Sequence, residues 1–217
     1  MKTIDLTHLI CPEMSVYPGT EGPQFSLAST VEKDKFQETV LSMYSHTGTH
    51  VDAPGHVFSG KAWLGDLDIG QFVGSAVVID CRHLQAGEKI TMECIASCHE
   101  VADKADFLLF CTGWDRYWGT AEYFENYPCI DEKVAQYLVR MGKKGVGTDT
   151  ISLDPVASLK LHRIVLEGGR MVIVENLTNL ASVLDGMFTF CALPLKYPQA
   201  DGSPIRAIAI KEFTYAD

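Results

Sequence analysis

His46, His50, Asp52 and His56 lie within the single stretch Ser45-His46-Thr47-Gly48-Thr49-His50-Val51-Asp52-Ala53-Pro54-Gly55-His56. Imidazole nitrogens and a carboxylate are donors that Zn²⁺ or Mn²⁺ accepts. His50 and Asp52 are two positions apart, so on an extended backbone both point to the same side. His46 lies four residues before His50, and the Thr47-Gly48-Thr49 bend can bring it toward them. Gly48 and Gly55 remove Cβ atoms where the backbone must fold closely around a small ion. The plainer alternative is a polar surface loop with histidines there by chance. The tight convergence of ligand types argues against it.

These residues need elements to hold them. Residues 37–44 alternate polar and apolar, as a half-buried strand would. The stretch after them is rich in glycine, threonine and proline and is read as a loop at that strand's end. Residues 25–31 and 37–44, joined by the charged turn Glu32-Lys33-Asp34-Lys35, predict a hairpin. Further strands are expected at 3–10, 76–80, 106–111, 146–150, 171–174, 187–195 and 205–213. Short helices are expected at 91–99 and 162–166. A longer one at 131–141 places Val134, Leu138 and Met141 on one face and opens with acidic residues. Residues 57–68 read as an ordered loop and 197–204 as a turn. His8 reads as a strand residue with a satisfied hydrogen bond. Trp114, Tyr117 and Trp118 read equally as a pocket wall or a cap on the core. Taken alone, His162 reads as a helix-surface histidine, and Glu175 as either a solvated strand end or a ligand facing a cleft. Periodicity supports α/β or α+β and no more.

The pattern His-x-Gly-Thr-His-x-Asp-x-Pro-x-His, complete at residues 46–56, resembles the signature of the cyclase family. That family includes the bacterial-type kynurenine formamidases and isatin hydrolases. The resemblance runs from near Ile4 to near Phe213. It implies one α/β domain over residues 1–217, a swivelling β/β/α-type fold with a barrel-like mixed sheet and a few flanking helices. The segment from His162 to Val-Ile-Val-Glu175-Asn176-Leu177 resembles the family's second metal-binding stretch. By position, His46, His50 and Asp52 would then hold one ion. Asp52 would bridge to a second ion held by His162 and Glu175. The cofactor would be Zn²⁺ or Mn²⁺, one or two ions per subunit. His56 would stay off the metal as general acid and base. Tyr17, before Pro18-Gly19, would lie at the substrate pocket, where formylkynurenine-cleaving members tend to carry another aromatic such as Trp. The family also implies a homodimer or homotetramer.

Composition sets outer limits. A chain of 217 residues with 47% hydrophobic residues can bury one full core. A formal net charge of −10 disfavours polyanionic partners, and no basic block offers a nucleic-acid patch. No apolar run approaches the ~20 residues that span a bilayer. The first residues lack an apolar signal core, so a cytoplasmic protein is expected. The seven cysteines are odd in number and scattered, which fits reduced thiols. Cys94-x-x-x-Cys98-His99 lacks the second pair of a zinc site.

There is no Gly-x-Ser-x-Gly elbow and no phosphate loop, so a serine nucleophile is unsupported. A cation that activates water and polarises a carbonyl is the alternative, with His56 moving protons. With what the family resemblance implies, the first reading is hydrolysis of a formamide or lactam C–N bond in a small aromatic substrate such as N-formylkynurenine. A metal-dependent cyclase or dehydratase would need the same residues. A non-catalytic metal-binding protein would have no use for His56.

Overall fold

The structure, a computed structural model, describes residues 1–211. In chain order the strands are β1 (Lys2–Asp5), β2 (Gln24–Ser29), β3 (Glu38–Ser42), β4 (His50–Asp52), β5 (Val73–Asp80), β6 (Lys89–Ile90), β7 (Phe107–Cys111), β8 (Cys129–Ile130), β9 (Gly145–Thr148), β10 (Val172–Glu175), β11 (Phe188–Cys191), β12 (Gly202–Pro204) and β13 (Ile208–Lys211). The helices are α1 (Val31–Asp34), α2 (Met92–Ala96), α3 (His99–Lys104), α4 (Glu132–Arg140) and α5 (Lys160–Leu166). Nine strands make one curled mixed sheet in the order β1-β13-β11-β5-β7-β9-β10-β4-β12. The fold is α/β, as the resemblance implied.

The centre of that sheet, β5-β7-β9-β10, is parallel. A parallel centre is covered on both faces, so its strands are apolar throughout rather than alternating. Phe107-Leu108-Leu109-Phe110-Cys111 is buried along its whole length. Successive side chains enter opposite cores. Leu108 and Phe110 join the layer under α4 and α5, whereas Phe107 and Leu109 join the layer with Phe190 and Val174. Helix α4 starts where the sequence predicts it, with the Asp131 side chain accepting the Val134 N–H at 2.8 Å. It buries Val134, Ala135, Tyr137 and Leu138. Met141, expected on that face, lies beyond the helix and is 36% exposed.

Gly145 shows how closely the parallel strands approach. A Cβ there would stand 2.8 Å from Phe107 Cε1 and 2.8 Å from the Val172 carbonyl oxygen. The carbonyl is backbone and cannot swing aside. Gly145→Ala is expected to cost about 1–3 kcal/mol, the usual range for overpacking. Urea denaturation against Gly168→Ala, whose Cβ would meet nothing within 4 Å, checks this. Equal stability of the two variants would contradict it.

Several sequence expectations need correction. The stretch around His50 is not all loop: residues 50–52 are a buried strand inside the large sheet. The breakers Gly48 and Pro54 flank this strand, and its pairing is long-range, so local signals hide it. Strand β3 does not lead half-buried into the site. Among the described residues it pairs only with β2, in a separate two-stranded arm, and every residue of β3 is exposed. The 91–99 helix is two helices, α2 and α3, broken at Ser97-Cys98. The 197–204 turn contains β12, a strand too short to show alternation. The first strand ends at Asp5, well short of residue 10. Residues 212–213 of the last expected strand lie outside the described residues.

Candidate metal centre

Strand β4 is the platform. It lies between β10 and β12, antiparallel to both. His50 and Asp52 face one side, as period two requires, while Val51 enters the core on the other. Glu175 stands directly across from His50 in the β10 register. His46 reaches the same side through a bend in which Gly48 takes φ +63°, a left-handed conformation that suits glycine. Helix α5 supplies His162 from the crossover between β9 and β10, buried rather than on the helix surface. His56 arrives on a 3₁₀ turn, Pro54–His56. There Gly55 packs so closely on the Trp63 ring that a Cβ would be 2.5 Å from it.

Asp52 is the centre of the arrangement. Its Oδ1 lies 2.7 Å from His46 Nδ1 and 3.3 Å from His50 Nε2. Its Oδ2 lies 3.4 Å from His162 Nε2. Glu175 completes the ring, with Oε2 at 3.5 Å from His50 Nε2 and Oε1 at 3.2 Å from His162 Nε2. Oε1 also accepts the Leu153 N–H at 2.6 Å. Among the described residues, donor atoms converge in three groups: His46–His50–Asp52, Asp52–His162–Glu175 and His46–His56–Asp201. No cysteine belongs to any of them, and all seven are free thiols.

Three features of the inner groups fit a divalent cation. First, two donors about 2.1 Å from one tetrahedral ion lie about 3.4 Å apart, close to most of these separations. The 2.7 Å His46–Asp52 contact is a charged hydrogen bond that an ion would part. Second, buried Asp52 Oδ2 has no hydrogen-bond partner, a cost that a cation would remove. Third, each histidine spends its outward nitrogen elsewhere. His50 Nδ1 donates to the Gly48 carbonyl at 2.7 Å. His162 Nδ1 bonds Asp154 Oδ2 at 2.8 Å, and His46 Nε2 bonds Asp201 Oδ2 at 3.2 Å. Metal-ligating histidines are held by outer partners of this kind, which fix the tautomer.

Asp154, Asp201 and Asn176 were not singled out from the sequence. Asp154 also accepts the Leu161 and His162 N–H groups at 2.9 and 2.8 Å, so one carboxylate anchors the start of α5 and aims its histidine. Asn176, in a left-handed conformation at φ +57°, donates from Nδ2 to the Gly48 carbonyl and accepts from Tyr123 Oη. Asp154 and Asp201 stand in turn-forming sequence, and nothing local marks them as histidine partners.

Burial opposes charge on His46, but Asp52 and Asp201 beside it push the ring up to about 10. Burial likewise opposes charge on His162, but Glu175, Asp154 and Asp52 raise it well above the ordinary histidine value. Burial opposes ionisation of Asp52, yet the neighbouring imidazoles hold it well below the usual carboxylate range. His56 differs: burial, aided by His46 and His162, lowers it below the ordinary value, against Asp52 and Glu175. It lies outside both inner groups, its ring 4.1 Å from that of His46 and 6.1 Å from that of His162.

A cavity of about 400 Å³ opens over these residues. Tyr17, Tyr44, Ile151 and Leu159 contribute its apolar wall. Tyr17, expected at the pocket, is there, and its hydroxyl accepts the Ala157 N–H at 2.8 Å. The aromatic cluster is a core cap instead: Trp114 is buried, and neither it, Tyr117 nor Trp118 lines the cavity. His8 also departs from expectation. It lies outside β1 and stacks on Trp118 with centroids 4.0 Å apart. Its Nε2 has no hydrogen-bond partner, and burial lowers its pKa to about 4.

Comparison with known proteins matches residues 4–155 to the Cyclase family. The chain belongs to the cyclase family. A kynurenine formamidase of Bacillus cereus is 33% identical over 96% of this chain and 98% of its own. One from Geobacillus thermodenitrificans is 30% identical, covering 94% and 95%. Isatin hydrolase A from Labrenzia aggregata shares the fold at a TM-score of 0.85 and 24% identity, over 97% and 94% of the two chains. The matched family segment ends before His162, Glu175 and Asp201.

Proposed function

We propose that this cyclase-family chain is a metal-dependent hydrolase that cleaves a formamide or lactam C–N bond in a small aryl substrate of the N-formylkynurenine type. The observation that carries it is Asp52, whose two buried oxygens face two donor groups while His56 stands beside them in neither. His46, His50 and Asp52 would hold one cation, and Asp52, His162 and Glu175 a second; the donor set suits Zn²⁺ or Mn²⁺. When bound, the cation polarises the amide carbonyl and makes a water nucleophilic at neutral pH. The remaining work belongs to side chains. Burial keeps His56 neutral near pH 7, so it can take the proton of the attacking water. It then returns that proton to the departing nitrogen, which could not leave as an anion. The Tyr17 ring, held by the Ala157 N–H, gives an aryl group a flat surface against Ile151 and Leu159.

The test compares metal-free and reconstituted protein on N-formylkynurenine, isatin and simple N-formyl anilines in ¹⁸O-labelled water. Reconstituted protein is expected to hydrolyse at least one of them and place label in the carboxylic product. An unlabelled product would indicate cyclisation or dehydration, and no turnover of any would overturn the proposal.

The outer partners make a further prediction. Asp154→Asn replaces one acceptor oxygen of the His162 partner with a donor. Loss of such a partner typically costs 10–100-fold in metal affinity, and a loss of that size is expected in competition with a chelator. An unchanged dissociation constant would show that Asp154 serves only the helix.

A further inference from the structure

The third donor group lies at the mouth of the site, outside the two inner groups. Asp201 Oδ2 is 3.2 Å from His46 Nε2 and 4.0 Å from His56 Nδ1. The spacing brackets the roughly 3.4 Å expected of two ligands on one tetrahedral ion. Backbone bonds fix the segment that carries Asp201. Its carbonyl accepts the Ala53 N–H at 2.8 Å, and the Ala200 carbonyl accepts that of Leu64 at 2.9 Å. Gly202, next along, admits the His46 ring so closely that a Cβ would stand 2.5 Å from it. The group is also reachable: the His46, His56 and Asp201 side chains are 23%, 28% and 39% exposed, against 7% or less for His50, Asp52, His162 and Glu175.

We propose that His46, His56 and Asp201 form a separate, weaker site for a surplus divalent cation such as Zn²⁺, and that filling it switches hydrolysis off. The reason for inhibition is tautomeric. A cation on His56 Nδ1 leaves the ring's one proton on Nε2, so no nitrogen lone pair remains to accept a proton from water. His46 would serve both ions, Nδ1 to the inner and Nε2 to the outer, with its Nε2 proton released to solvent. That displacement, together with greater solvation, makes the outer site the weaker one.

The inhibitory half rests on the proposed role of His56, whereas the site itself does not, so ions are counted independently of turnover. Metal-free protein is dialysed against buffers of increasing free Zn²⁺. Bound zinc per subunit is measured by elemental analysis, and hydrolysis of an N-formyl aniline is followed on the same samples. Wild type is expected to gain one further zinc after the inner complement is filled, with the rate falling over the same range. Asp201→Asn is a poor ligand and, as the partner of His46, also loosens the inner ion, so the last step is read once the inner complement is full. The variant should weaken that last step at least about tenfold, the lower end of what losing even an outer partner costs. His56→Gln should remove the step from the zinc count, whether or not the variant turns over. The proposal is overturned if no further zinc binds up to the solubility limit, if both variants bind it as wild type does, or if it binds without slowing the reaction.

Discussion

Asp52→Ala is expected to empty the metal centre and abolish hydrolysis. Both Asp52 oxygens face imidazoles at 2.7–3.4 Å, and the residue is shared by the two inner groups. Its removal takes a donor from each. It also leaves His46 and His162 beside less negative charge, so they hold protons less readily, and this partly favours metal binding. The lost donor outweighs that gain, because a buried ion short of ligands is poorly solvated. Metal affinity should fall by more than about 100-fold, the upper end for loss of a mere outer partner. Asp52→Asn, closer in shape, should also lose metal, since the amide is a neutral donor. Elemental analysis after dialysis, alongside turnover, reads both. A variant that retains full metal and full activity would remove Asp52 from the site. Since the histidines must release protons to bind an ion, wild-type affinity should also decline as pH falls.

The second large effect is expected at His56, where catalysis and coordination separate. His56→Ala should keep its inner metal, because neither inner group includes it. It should lose about 10²–10⁴-fold in kcat, the usual contribution of a general acid–base group. KM should change far less, since proton transfer belongs to the transition state. If metal content falls together with rate, His56 is a ligand. If neither changes, it is a bystander on the turn. Metal stoichiometry and kcat measured on one preparation decide among the three.

The part of the site legible in the sequence was the part that is local. His46, His50, Asp52 and His56 share eleven positions, and two-residue periodicity places His50 and Asp52 on one side. His162 and Glu175 stood out only through resemblance to a family, because a helix histidine and a strand-end glutamate have common structural uses. Asp154 and Asp201 were invisible. An outer carboxylate looks like any turn residue until the fold brings an imidazole to it. The same holds for strands. The apolar run at Phe107–Cys111 declares itself, whereas Gly202–Pro204 and His50–Asp52 are strands only because of distant partners. Long-range pairing overrode local loop chemistry at both.

Strand β4 has a consequence for the order in which the protein is made. Among the described residues its only sheet neighbours are β10 and β12, and β12 emerges about 150 residues after it. Synthesis at roughly 5–20 residues per second leaves this strand without its second neighbour for on the order of ten seconds. Pairings so distant along the chain form late, since loop closure must precede the contacts that reward it. Throughout that interval the nascent chain displays three histidines and an aspartate with no pocket around them. The candidate metal-binding motif is thus made well before the distant strand that encloses it.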